Sequence, residues 1–159
     1  MPDTSVRLEQ LLPLMQERLA VGESVQFTPH GTSMRPMLEG GRDQVVLSPL
    51  PDKLRKYDLP LYRRDNGQFV LHRIVKASQT YTCIGDNQFV LEPGVRPDQM
   101  LAVVTGFVRK GKSYATDSWK YRFYCRFWHI SRPVRYAFLW SWRILCAIIR
   151  RLLGLFRKK

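Results

Sequence analysis

Three short words hold the side chains with chemical promise: Gly31-Thr32-Ser33-Met34-Arg35-Pro36-Met37-Leu38, Leu71-His72-Arg73-Ile74-Val75 and Ile84-Gly85-Asp86-Asn87. They offer a serine, a histidine and an aspartate in that order, within about fifty residues. A hydroxyl, a base to take its proton and a carboxylate to orient the base are the parts of a serine hydrolase. The order alone carries little, because such residues are common; the tight contexts carry the signal. Each residue also has a plain structural reading. Ser33 could be a loop hydroxyl, His72 a strand histidine alternating with Val70 and Ile74, and Asp86 part of a Gly-Asp-Asn turn. Lys76, four residues past His72, is the base a Ser–Lys dyad would need, and it is the weaker candidate. His30 is close to Ser33 in sequence, but closeness along a strand does not give hydrogen-bond geometry, and His129 lies in a basic aromatic segment read as interfacial.

Taken together, Ser33-Met34-Arg35-Pro36-Met37, His72-Arg73-Ile74 and Gly85-Asp86-Asn87 resemble the signal peptidase and LexA-type serine peptidase superfamily. They are most similar to the endoplasmic-reticulum and archaeal subgroup, in which a histidine replaces the usual lysine base. The resemblance covers roughly residues 24–108, about half of the chain. It implies Ser33 as nucleophile, His72 as general base and then acid, and Asp86 as the carboxylate that holds the imidazole. The Ser33 amide would supply one oxyanion donor, with Thr32 or another backbone amide as the second, because Gly31 stands where some relatives carry a hydroxyl. Thr32, Ser33 and Met34 thus form the expected oxyanion and substrate-binding set. Asp58, where relatives carry a Gly-Asp, is read as structural. The implied substrate is an extended peptide or precursor protein with small side chains flanking the cut. No cofactor is implied, and no metal.

The elements that must position these groups follow from periodicity. Leu8, Leu11, Leu12, Met15 and Leu19 share a helical face within residues 4–20, with Pro13 expected to kink or divide the helix and Gly22 to end it. From Ser24 to Val108 short β-rich runs alternate with turn residues: 24–27, 44–47, 59–63, 68–75, 80–84 and 101–108. Asp65-Asn66-Gly67 reads as a hairpin turn. The expected fold is mainly β, a signal peptidase/LexA-like, partly open barrel with helices at both ends. Its expected parts are an N-terminal helix over 1–22, a peptidase-like domain over 23–110, and a basic aromatic helical tail over 111–159 with a junction at 109–118.

Charge sets that tail apart. Of 26 Lys and Arg, eleven fall from Trp119 to Lys159, where no Asp or Glu occurs. The formal charge of +13 is therefore mostly a property of the tail. Arg135, Arg143, Arg150 and Arg157 recur at spacings of eight, seven and seven, which places them along one helical stripe. Trp140 and Trp142 add the aromatic rings that favour headgroups. The apolar stretches are too short for a span of about twenty residues. Peripheral attachment to an anionic membrane surface is the favoured reading. A helix pair buried in a partner and nucleic-acid binding are the less favoured ones.

The first residues have neither an apolar signal core nor a basic start. Three cysteines, Cys83, Cys125 and Cys146, show no metal spacing. The catalytic part is expected to face the cytoplasm. Only 32 residues precede Ser33 and no Ala-Gly dipeptide occurs, which argues against a self-cleaving repressor. The expectation is a membrane-associated serine endopeptidase. The alternative is a catalytically inactive peptide-binding protein with the same fold.

Overall fold

The structure, a computed structural model, describes residues 8–156. Helix α1 spans Leu8–Ala20 and buries Met15 and Leu19, with Leu8 and Leu11 packed beside them. Pro13 lies inside α1 without dividing it. The helix ends as expected at Gly22, whose φ of +83° lets its N–H reach the Leu19 carbonyl while Glu23 N–H reaches Arg18. That pair of bonds is a Schellman cap, which satisfies carbonyls the helix leaves open.

Among the described residues nine strands follow, in two antiparallel sheets that do not close into a barrel. Strands β1 (Val25–Phe27), β2 (Gln44–Ser48), β3 (Pro60–Arg63), β4 (Phe69–Leu71) and β8 (Met100–Arg109) form the first, in the order β1-β2-β8-β3-β4. Strands β5 (Arg73–Ala77), β6 (Tyr81–Ile84) and β7 (Glu92–Val95) form the second. The 68–75 run, expected as one strand, is two. Leu71 pairs with Leu61 in the first sheet, while Arg73 pairs with Ile84 in the second, and His72 is the residue between. The Asp65-Asn66-Gly67 turn forms as expected, with Gly67 at φ +86° and Asn66 Oδ1 accepting from Gln68 N–H.

The expected junction at 109–118 is no linker. Lys110 and Gly111 turn the chain at positive φ, and β9 (Lys112–Ala115) pairs back onto β8. Ser118 then caps helix α2 (Trp119–Ile130) by accepting from Tyr121 N–H. Tyr121 and Cys125 of α2 are buried in the same cluster as Met15, Met34 and Met37. The body of the protein therefore extends through α2, beyond the expected boundary at 110. Helix α3 (Arg132–Phe156) continues from there, and Tyr136 packs on Phe89. Among the described residues no helix is long and apolar enough to cross a membrane.

Candidate active site

The three words converge, and each position has a physical job. Gly85 sits so close to the Ser33 loop that a Cβ there would lie 2.6 Å from the Ser33 carbonyl oxygen and 3.1 Å from Ser33 Cβ. Any side chain at 85 would push Ser33 away. Asn87 completes the seat: its N–H donates to the Ser33 carbonyl at 2.8 Å and its Nδ2 donates to the Thr32 carbonyl at 3.3 Å. On the far side, Gly31 adopts φ +94° and its carbonyl crowds Gly40, where a Cβ could not fit. Met34, Met37 and Leu38 are buried beneath and root the loop in the core.

Ser33 and His72 line one cleft of about 380 Å³, together with Thr32, Met34, His30 and the residues of β4. Ser33 is half-buried and His72 is buried. The imidazole turns Nδ1 inward, 3.3 Å from Tyr62 Oη and 3.6 Å from Glu92 Oε2. Among the described residues no protein hydrogen bond engages Nε2, and none joins Ser33 Oγ to the ring. Such contacts are commonly long before substrate arrives. Burial depresses the His72 pKa to about 4; Glu92 works against that shift and Arg64 adds to it. The ring is therefore neutral at pH 7, the state a general base requires.

Asp86 does not take the position the sequence suggested for it. Both its carboxylate oxygens are engaged by the buried guanidinium of Arg73, Nε to Oδ1 at 2.9 Å and Nη2 to Oδ2 at 2.8 Å. Tyr124 Oη also donates to Oδ2 at 3.1 Å, and Trp128 Nε1 donates to the Asp86 carbonyl at 2.8 Å. Arg73 in turn reaches Tyr121 Oη and the Cys125 sulfur, each at 2.8 Å. A bidentate pair of this kind is directional as well as strong. Here it ties the Gly-Asp-Asn turn to the inner face of α2.

The acid beside His72 is Glu92, the first residue of β7. Tyr62 Oη donates to Glu92 Oε2 at 2.7 Å, and Arg64 grips the same carboxylate through Nε at 2.6 Å and Nη2 at 2.5 Å. Hydrogen bonding from Arg64 holds the Glu92 carboxyl below the usual range. Burial and the neighbouring Glu92 carboxylate raise the Tyr62 phenol, so it stays protonated. Nothing in the local sequence marks these three residues. Glu92-Pro93-Gly94 reads as a turn, and only the pairing of β7 with β6, Cys83 opposite Glu92, carries it to the histidine.

The remaining candidates lie elsewhere. Asp58 accepts from Arg55 N–H at 2.7 Å, and its own carbonyl accepts from Ile74 N–H, a turn-holding role as expected. Lys76 is exposed on β5 and is not among the cleft residues. His129 packs edge-on against Tyr57, its pKa lowered by burial and by Arg132. On the tail, Trp140, Trp142 and Arg150 are exposed on α3, whereas Arg135 lies over the Trp128 ring at 3.6 Å and donates to its carbonyl. The Arg143 side chain and Arg157 lie outside the described residues. Among the described residues no group of three or more His, Cys, Asp or Glu could hold a metal ion. Comparison of the chain with family models, with curated proteins and with solved structures finds no match.

Proposed function

We propose that this chain is a serine endopeptidase of signal peptidase-like chemistry, working on extended peptides or precursor proteins at a membrane surface. The observation that carries the reading is the shared cleft. Ser33 and a buried, neutral His72 face it together, and the close approach at Gly85 and the Asn87 hydrogen bonds hold the Ser33 backbone in place. In the proposed reaction Ser33 Oγ bonds to the scissile carbonyl carbon as its proton passes to His72 Nε2. The carbonyl oxygen collects negative charge opposite backbone amides of the Thr32–Met34 segment. The C–N bond then breaks as His72 returns the proton to the leaving amine, and water releases the acyl group by the same path in reverse.

The cleft suits an extended chain. Strand β4 ends the order of its sheet and lines the cleft, so one edge of Phe69–Leu71 has no strand partner, and a substrate strand would lie along it leading up to His72. Main-chain hydrogen bonds to such an edge give affinity without reading sequence, leaving side-chain choice to the pocket floor at Met34 and Leu38.

The membrane part of the proposal rests on both helices. Trp119, Phe123, Phe127 and Ile130 on α2, then Val134 and Phe138 on α3, are all at least 58% exposed. Their spacing keeps them on one side, opposite the Tyr121, Tyr124, Cys125 and Trp128 face that grips the body. An exposed aromatic stripe flanked by Lys120, Arg122 and Arg126 suits an anionic interface. Cleavage profiling of a peptide library with anionic vesicles present tests the enzyme reading. Cuts made by the wild type should vanish in Ser33→Ala and His72→Ala; cuts that persist in both would end it.

A further inference from the structure

We propose that Glu92, acting through the hydroxyl of Tyr62, is the carboxylate that positions His72; the catalytic part of this inference rests on the reading of Ser33 and His72 as nucleophile and base. Tyr62 has a single O–H hydrogen, and the 2.7 Å contact directs it to Glu92 Oε2. Glu92 is ionised and gripped by Arg64, so it can only accept. Tyr62 Oη therefore faces His72 Nδ1, 3.3 Å away, with a lone pair, and that contact is satisfied only when Nδ1 carries the hydrogen. A neutral imidazole protonated at Nδ1 has its lone pair on Nε2, the nitrogen left for the cleft. The chain Arg64–Glu92–Tyr62–His72 thus selects the tautomer in which the ring can take the Ser33 proton.

The same chain answers the charge that follows. When Nε2 accepts that proton, the imidazolium presents Nδ1–H to Tyr62 Oη with the Glu92 carboxylate 3.6 Å behind it. No proton moves to Glu92; Arg64 keeps it ionised, and it acts by charge and orientation alone. Asp86 is also close enough to act on His72, but both of its oxygens are held by Arg73. The charged groups acting on the ring are then Glu92 and Asp86, which favour the imidazolium, and Arg64, which opposes it. The Cys83 thiol near Tyr62 is pushed up to about 12 by burial and adds no charge at neutral pH.

The test reads the ring directly. Imidazole ¹⁵N spectra of the full chain, with His72 resonances assigned against His72→Gln, report both tautomer and titration. Glu92→Gln should lower the His72 titration point and disturb the Nδ1–H tautomer. In the wild type the neutral ring should show the Nδ1–H form. Kinetically, Glu92→Gln should reduce kcat by roughly tenfold or more with KM held within about twofold, the pattern of an interaction used in the transition state. A wild-type ring protonated at Nε2, or an unchanged tautomer and titration in Glu92→Gln, would overturn the proposal. An Nδ1–H ring in the wild type and a lowered titration point in Glu92→Gln, in a chain that cleaves nothing, would retain the positioning and remove the peptidase reading.

Discussion

At the residue scale the decisive question is what Asp86 is for. A catalytic carboxylate and a structural one make different predictions for the same substitution. Asp86→Asn keeps the shape but leaves the Arg73 guanidinium, 2% exposed, without its anion. Breaking a buried pair from one side costs about 3–5 kcal/mol, because the remaining charge has nowhere to go. We therefore expect Asp86→Asn to lower the unfolding free energy by about that amount and to loosen α2, which holds Asp86 through Tyr124 and Trp128. Denaturant unfolding with tryptophan fluorescence as the probe measures this. An orienting acid would behave in the opposite way: stability nearly intact and turnover lost. The Gly-Asp-Asn word was legible as a signal, because all three of its positions serve the site. Its role was not legible, because a sequence does not say which of two neighbouring groups, His72 or Arg73, a carboxylate will face. Arg73 was read only as part of a motif; its burial decides the matter, since a fully buried guanidinium takes the nearest carboxylate.

At the scale of elements, the sequence shows what depends on local pattern and hides what depends on pairing. α1 from Leu8 on, its Gly22 stop and the Asp65-Asn66-Gly67 hairpin are set by spacing and by residues suited to positive φ, and they form, though Pro13 does not divide the helix and residues 4–7 of its expected span lie outside the described residues. β7 and β9 are the misses. Glu92-Pro93-Gly94-Val95 has the composition of a turn, and a proline is tolerated because β7 is an edge strand. Lys112–Ala115 is exposed throughout and shows no apolar alternation, so nothing distinguishes it from a linker until β8 provides a partner. The break at His72 was hidden for a related reason: 68–75 has no glycine, proline or other turn residue to interrupt it, while the change of sheet is a tertiary event. These misses have a practical consequence. A chain cut after Ala115 should lose Tyr121 and Cys125 from the core and uncover the Arg73–Asp86 pair. We expect it to aggregate or unfold at least 10 °C lower. A chain cut after Ser131, which keeps all of α2, should melt within a few degrees of the full chain, since a loss of about 1 kcal/mol moves Tm by only about 2–4 °C at this size. Thermal melts of the two chains decide between a body that ends at 110 and one that ends at α2.

At the scale of the whole molecule, charge and apolar surface are placed on the same side of the chain's economy: both are concentrated from Trp119 onward, where eleven basic residues meet no acid. The rest of the chain is nearly neutral, so the proposed attraction to an anionic surface would belong to the helices. α2 faces in two directions. Its inner face holds Asp86, next to the Asn87 that anchors Ser33, and its outer face is an aromatic stripe. Electrostatic and apolar contributions to the proposed membrane seating would then separate by experiment. Each basic residue near anionic lipid contributes about 1 kcal/mol, roughly fivefold in binding, and the contribution falls as the Debye length shrinks from about 10 Å at 0.1 M salt to about 3 Å at 1 M. Replacing Arg122 and Arg126 by Gln should weaken binding to anionic vesicles by about 25-fold at low salt, and by far less at 1 M. Replacing Phe123 and Phe127 by Ser should weaken binding at both salt concentrations, because burial of apolar rings is not screened. Neither pair touches the Arg73–Asp86 clamp, so both variants should melt as the wild type does. Vesicle co-sedimentation across a salt series reads all of these at once. Equal binding by the wild type and both variants at every salt concentration would show that the stripe faces something other than lipid.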